Sequence, residues 1–247
     1  MTTDLPSSNR IDSLISGNES ENDLQNSSQK VEEIKKEQVN ERNSDETDFK
    51  VTVLYPGYSK SVEKGMIANC SCTLITGCVN VIVDTMTPWD QEKIIRGLEL
   101  HGLKCKDINY VVCTHGHSDH TGNNNLFLNA TQIVGFCISH KDFYFTHDFE
   151  KGDVYKLNEQ IQVIPTPGHT LSDVSVIVKT KDKGVIAIVG DLFENEFDLN
   201  DESIWLGAGS ENADLQRENR KKILEMADYI IPGHGNMFKN PRSSINT

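Results

Sequence analysis

Apolar residues along this chain fall into short runs separated by tight polar turns, a spacing that predicts strands more often than helices. Lys50–Tyr55 reads as a first strand, Ser71–Ile75 and Val79–Asp84 as a hairpin about Gly77, and Val111–Cys113 as a later strand. Three further runs, over 161–168, 184–190 and 228–233, have the same strand-like character. Two segments carry a helical period instead. In the first, Pro88 takes a tolerated first-turn position, Ile94, Ile95 and Leu98 supply an apolar face, and Gly102 ends the helix. The second runs from about Asn212 to Ala227, with Leu215, Ile223 and Met226 available for burial.

Residues 1–48 follow neither pattern. They are rich in Ser, Asn, Glu, Gln and Lys, and so cannot bury enough surface to offset their ordering entropy. A disordered acidic N-terminal tail is expected there, and residues 49–247 suffice for one domain with a sizeable core. The tail holds twelve acidic against five basic residues, so it carries −7 of the net charge of −13 and leaves −6 for the domain. The first residues lack a charged start followed by an apolar stretch, and no segment approaches a membrane-spanning length, which predicts an intracellular protein with no membrane contact. Cys70, Cys72, Cys78, Cys105, Cys113 and Cys137 form no CxxC pair, and buried reduced thiols are expected.

The chemistry begins directly after the strand at 111–113, in His115-Gly116-His117-Ser118-Asp119-His120. A polar turn capping a strand has no use for three imidazoles, whereas two of them at i and i+2 on an extended loop can converge on one ion. Asp119 and His120 point elsewhere and suggest a second, neighbouring ion. Each ion still needs donors, and the three later apolar runs end in His169, Asp191 and His234, each beside a glycine. All the candidates therefore lie at carboxyl ends of strands, where an α/β enzyme gathers side chains into one crevice.

Together these residues resemble the metallo-β-lactamase superfamily, over roughly 51 to 238. The resemblance implies an α/β fold, an αββα sandwich with a binuclear metal site along one edge. By it, His115, His117 and His169 would hold one divalent ion, Asp119, His120 and His234 the second, and Asp191 would bridge them. Asp119 and Asp191 would also serve catalysis by orienting a hydroxide held between the ions. An aspartate at 191, where the secreted antibiotic-degrading members carry cysteine, implies the branch with glyoxalase, lactonase and nuclease members. Zinc suits imidazole and carboxylate donors, with iron or manganese as alternatives.

Further matches, among them Val83-Asp84-Thr85, Gly122-Asn123 and Phe193-Glu194, imply an endoribonuclease of the kind that processes the 3′ end of histone pre-mRNA, in the cytosol or nucleus and as a homodimer. The acidic domain argues against RNA, since phosphate contacts usually need clustered Lys and Arg. Arg217, Arg220, Lys221 and Lys222 form the one such cluster. A small-molecule thioesterase or lactonase suits an acidic compact domain better, and a metal-binding regulator without turnover is a third reading, disfavoured by the complete donor set. His140 and His147, in the longest connection between donor groups, are candidate substrate-binding residues.

Overall fold

The computed structural model describes residues 48–243, so the tail expected over 1–48 lies, save for Asp48, outside the described residues. A seven-stranded sheet has the order β1 (Lys50–Tyr55), β4 (Cys72–Thr76), β5 (Val81–Val83), β6 (Tyr110–Cys113), β7 (Thr131–Val134), β8 (Cys137–His140), β9 (Phe143–Phe145). A six-stranded sheet has the order β10 (Tyr155–Lys156), β11 (Ile161–Pro165), β12 (Val174–Thr180), β13 (Gly184–Gly190), β14 (Tyr229–Pro232), β15 (Phe238–Lys239). A separate hairpin pairs β2 (Tyr58–Val62) with β3 (Gly65–Asn69). The helices are α1 (Gln91–Leu100), the single turn α2 (Ser118–Thr121), α3 (Glu202–Ala208) and α4 (Ala213–Met226).

Alternation along the strands builds the layers, because successive side chains of a strand point to opposite faces. Val81, Val83, Tyr110 and Val112 of one sheet meet Val176, Val178, Ile186 and Ile188 of the other in the central core. Ile82, Val111 and Cys113 point outward and pack with Ile94 and Leu98 of α1. Ala187, Val189 and Ile230 likewise pack with Ile223 and Ala227 at α4. The result is the expected αββα arrangement. β5, β6 and β7 are mutually parallel, as are β13 and β14, so each sheet sends its central strands out at one end.

The expected elements differ from the observed ones in instructive ways. Helix α4 buries Gln216, Asn219, Arg220 and Ile223, while Met226 is exposed and Leu215 only half-buried. Its polar buried side chains hold loop carbonyls: Gln216 Nε2 donates to Asp191 O at 3.0 Å, Asn219 Nδ2 to Pro167 O at 2.7 Å and Arg220 Nη1 to Leu192 O at 2.7 Å. Hairpin β2–β3 lies outside the predicted elements: Tyr58, Val62 and Ile67 share one of its faces but stay exposed, so no buried face sets its strands. Among the described residues, no helix is long and apolar enough to cross a membrane.

Candidate metal centre

Four strand ends deliver the donors: His115, His117, Asp119 and His120 follow β6, His169 follows β11, Asp191 follows β13 and His234 follows β14. Two glycines permit the approach. Gly190 has φ +53°, and a Cβ on Gly233 would collide with the Asp191 carboxylate.

The donor atoms form two groups. In the first, His115 Nε2 lies 2.8 Å from His117 Nδ1, and His117 Nδ1 lies 3.1 Å from His169 Nε2. Asp191 Oδ2 closes it at 3.4 Å from His169 Nε2 and 3.7 Å from His115 Nε2. In the second, Asp119 Oδ2 stands 3.9 Å from both His120 Nε2 and His234 Nε2. Asp191 belongs to this group too, with Oδ1 3.1 Å from His120 Nε2 and Oδ2 3.3 Å from His234 Nε2. Donors about 2.0–2.2 Å from a tetrahedral ion sit roughly 3.3 Å from one another, the range spanned here. Asp119 Oδ2 is buried with no hydrogen-bond partner, and His120 Nε2 and Asp191 Oδ1 face each other at 3.1 Å without hydrogen-bond geometry. Leaving a polar atom so costs about 1–3 kcal/mol each, a cost removed if ions complete both groups. The residues present thus fit a metal pair.

The outer nitrogens are held from behind. His169 Nδ1 donates to Gly209 O at 2.8 Å and His234 Nδ1 to Asn69 O at 3.0 Å. A carbonyl can only accept, so both rings carry a proton on Nδ1 and turn Nε2 inward, where its lone pair serves an ion once any proton there has left. His120 Nδ1 lies 3.0 Å from Asp84 Oδ2, and Asp84 also accepts from Thr114 N at 2.7 Å. These supports had not been given roles from the sequence. Asp84 shows the same signal as Asp191, an acid just after an apolar strand, whereas Gly209 acts through its backbone and shows none.

Asp191 governs the charges. Burial alone would raise its carboxyl, but the imidazoles of His120, His234 and His115 outweigh it and hold the group well below the usual carboxylate range. Burial opposes a proton on His120 as well, yet Asp191 and Asp84 outweigh it and keep its pKa well above the ordinary imidazole value. At His234 burial is again outweighed by Asp191, and the pKa rises to about 9. Burial, reinforced by His120, holds His115 well below the ordinary value. Beside the cluster, burial pushes Glu194 up to about 7.

The two candidate substrate histidines belong to neither group. Strand register sets Ser139 level with Gln132 and Val111, so His140 sits at the amino end of β6, opposite the donors. His147 packs edge-on against Phe149 and Tyr155. The basic cluster is likewise no phosphate patch: Arg220 is buried against Asp198 at 2.8 Å, Arg217 pairs with Glu202 and Asp214, and Lys221 approaches Glu225. All six cysteines are free, but only Cys70, Cys72 and Cys113 are buried, and Cys137 is exposed.

A model of the metallo-beta-lactamase superfamily matches residues 67–234, and the chain belongs to that superfamily. It is 42% identical over 192 residues to metallo-beta-lactamase domain-containing protein 1 of Xenopus laevis, covering 76% of this chain and 81% of that protein. It is 36% identical over 156 residues to a probable metallo-hydrolase of Methanocaldococcus jannaschii, covering 62% of this chain and 70% of that protein. Among solved structures, an N-acyl homoserine lactone hydrolase with its product bound at the catalytic metal center superposes with a TM-score of 0.56 at 18% identity, covering 76% and 92% of the two chains. At that identity the likeness shows the fold alone. Family and donor clusters together define a metal-dependent hydrolase.

Proposed function

We propose that the protein is a binuclear metal-dependent endoribonuclease, of the kind that cleaves histone pre-mRNA near its 3′ end. The observation that carries the binuclear reading is the sharing of one carboxylate, Asp191, by two separate groups of three donors. His115, His117 and His169 would hold one ion, Asp119, His120 and His234 the other, with Asp191 between them. Zinc is the first choice, with iron and manganese as competitors. When bound, two such ions lower the pKa of a water and neutralise charge developing on the attacking and leaving oxygens of an in-line displacement.

The chain's own residues do the rest. Asp119 is the most exposed of the carboxylates here, at 20%, against 6% for Asp191. Its position suits it to accept a hydrogen bond from the attacking water and so to orient it. Asp84, Asn69 and Gly209 fix the rings of His120, His234 and His169, so the donors need not reorganise during the reaction.

The acidic domain does not exclude RNA, because two dications would place positive charge where the scissile phosphate goes. With the one basic cluster of the described residues tied up in ion pairs, their contacts to further phosphates should depend only weakly on salt. The lactonase-like fold and the acidic surface favour a second reading, hydrolysis of a lactone or thioester. Incubating metal-loaded protein with a labelled single-stranded histone pre-mRNA 3′ fragment, beside S-lactoylglutathione and a homoserine lactone, separates the two. RNA cleavage lost in His115→Ala supports the nuclease; turnover of an ester with intact RNA replaces it by the second reading.

A further inference from the structure

A cleft of about 420 Å³ opens beside the metal centre, with His234 among its lining residues. Tyr58 and Phe197 both line it, and both are exposed, at 52% and 67%. Scattered exposed aromatics are ordinary on a protein surface, but two on one cleft that also holds a metal-donor histidine are not scattered.

Both aromatics are delivered by rigid supports. Tyr58 is the cross-strand partner of Asn69, whose carbonyl holds His234 Nδ1, and the neighbouring Ser59 Oγ donates to Glu194 Oε2 at 2.8 Å. Phe197 sits in a tight turn whose backbone is pinned on one side by Asn195 Oδ1, which accepts from Phe197 N at 3.0 Å. On the other side is Asp198, locked to Arg220 at 2.8 Å. Among the described residues no Lys or Arg lines the cleft, and Glu196 brings a carboxylate, so its walls suit a neutral planar group rather than a second phosphate. Asn195 and Asn236 add amides able to meet the polar edge of such a group. The volume falls in the usual range for a small-ligand site.

We infer that this cleft is the subsite for one unstacked nucleobase flanking the scissile phosphodiester, held by Tyr58 and Phe197. The inference rests on the RNA reading above. It also gives an acidic protein a way to hold RNA, since stacking on aromatic faces needs no basic side chains.

The test is a cycle between protein and RNA. KM and kcat are measured for metal-loaded wild type, Tyr58→Ala and Phe197→Ala, on intact single-stranded RNA and on RNA with an abasic ribose at each position flanking the cut. Each alanine variant should raise KM roughly 5- to 150-fold on intact RNA, with kcat within about twofold. One abasic position should raise the wild-type KM similarly, and at that position the variants should lose no more. Tyr58→Phe and Phe197→Tyr should keep the wild-type KM. Variants that leave KM unchanged, or raise it equally on intact and abasic RNA, overturn the subsite while leaving the nuclease standing. Wild type that cleaves no RNA overturns both.

Discussion

Replacing Asp84 by asparagine removes one charge behind the metal centre and hardly alters its shape. Asp84 Oδ2 meets His120 Nδ1 at 3.0 Å while Oδ1 accepts from Thr114 N at 2.7 Å, so the carboxylate faces a donor on each side. An amide has one oxygen, and whichever way it turns, its NH2 must confront one of those donors. The lost charge-assisted bond is worth about 1.5–3 kcal/mol, or roughly 10- to 150-fold in affinity, and losses of a supporting partner behind a metal ligand commonly measure about 10- to 100-fold. The loss should fall mainly on the ion held by Asp119, His120 and His234, because Asp84 supports His120 directly and reaches His115 only through the Thr114 hydroxyl. Competition titration of Asp84→Asn with a chromophoric zinc chelator resolves the two affinities, and the ion at His115, His117 and His169 serves as the internal control. Equal weakening of both ions, or of neither, would refute the argument.

Three further outcomes follow from the same geometry. Asp198→Ala should cost about 3–5 kcal/mol in urea unfolding, since it takes the carboxylate from the buried Arg220 guanidinium and the acceptor from Glu194 N. Gly233→Ala should lose bound metal, read by elemental analysis, because the added methyl takes the space of the Asp191 carboxylate. The metal-free protein should hold protons on His120 and His234 at neutral pH, the latter titrating near 9. Both folded pKa values lie above the ordinary imidazole value, so each contribution to metal-free stability is full below about 6.5 and is lost as pH rises through the folded pKa, which for His234 is about 9. Metal loading at pH 7 should therefore release protons, measurable by calorimetry in buffers of different ionisation enthalpy, and a proton-neutral titration would contradict the ion pairs described.

The convergence of the three later candidates was legible in the sequence because one rule serves them: an apolar strand, a glycine, then an imidazole or carboxylate, as in Val189-Gly190-Asp191 and Pro232-Gly233-His234, while the dense cluster at 115–120 marks itself. The same parallel strands that bury Val112 and Ile188 bring those ends to one edge. What stayed hidden acts through groups that sequence does not distinguish. The carbonyls of Gly209 and Asn69 orient two ligands, and any residue supplies a carbonyl. Of the three apolar positions of helix α4, Ile223 is buried but Leu215 and Met226 are not, because much of its working face is Gln216, Asn219 and Arg220, buried to satisfy the backbone of the loops that carry His169 and Asp191. His140 looked close to the site in chain order, but β8 runs back down the sheet and takes it to the far end.

Anomalous diffraction from a zinc-loaded crystal tests the central claim most directly. Two peaks are expected, one among His115, His117 and His169 and one among Asp119, His120 and His234, each about 2.0–2.2 Å from an oxygen of Asp191. A single peak, or two of which Asp191 touches only one, would contradict the shared carboxylate and with it the binuclear centre.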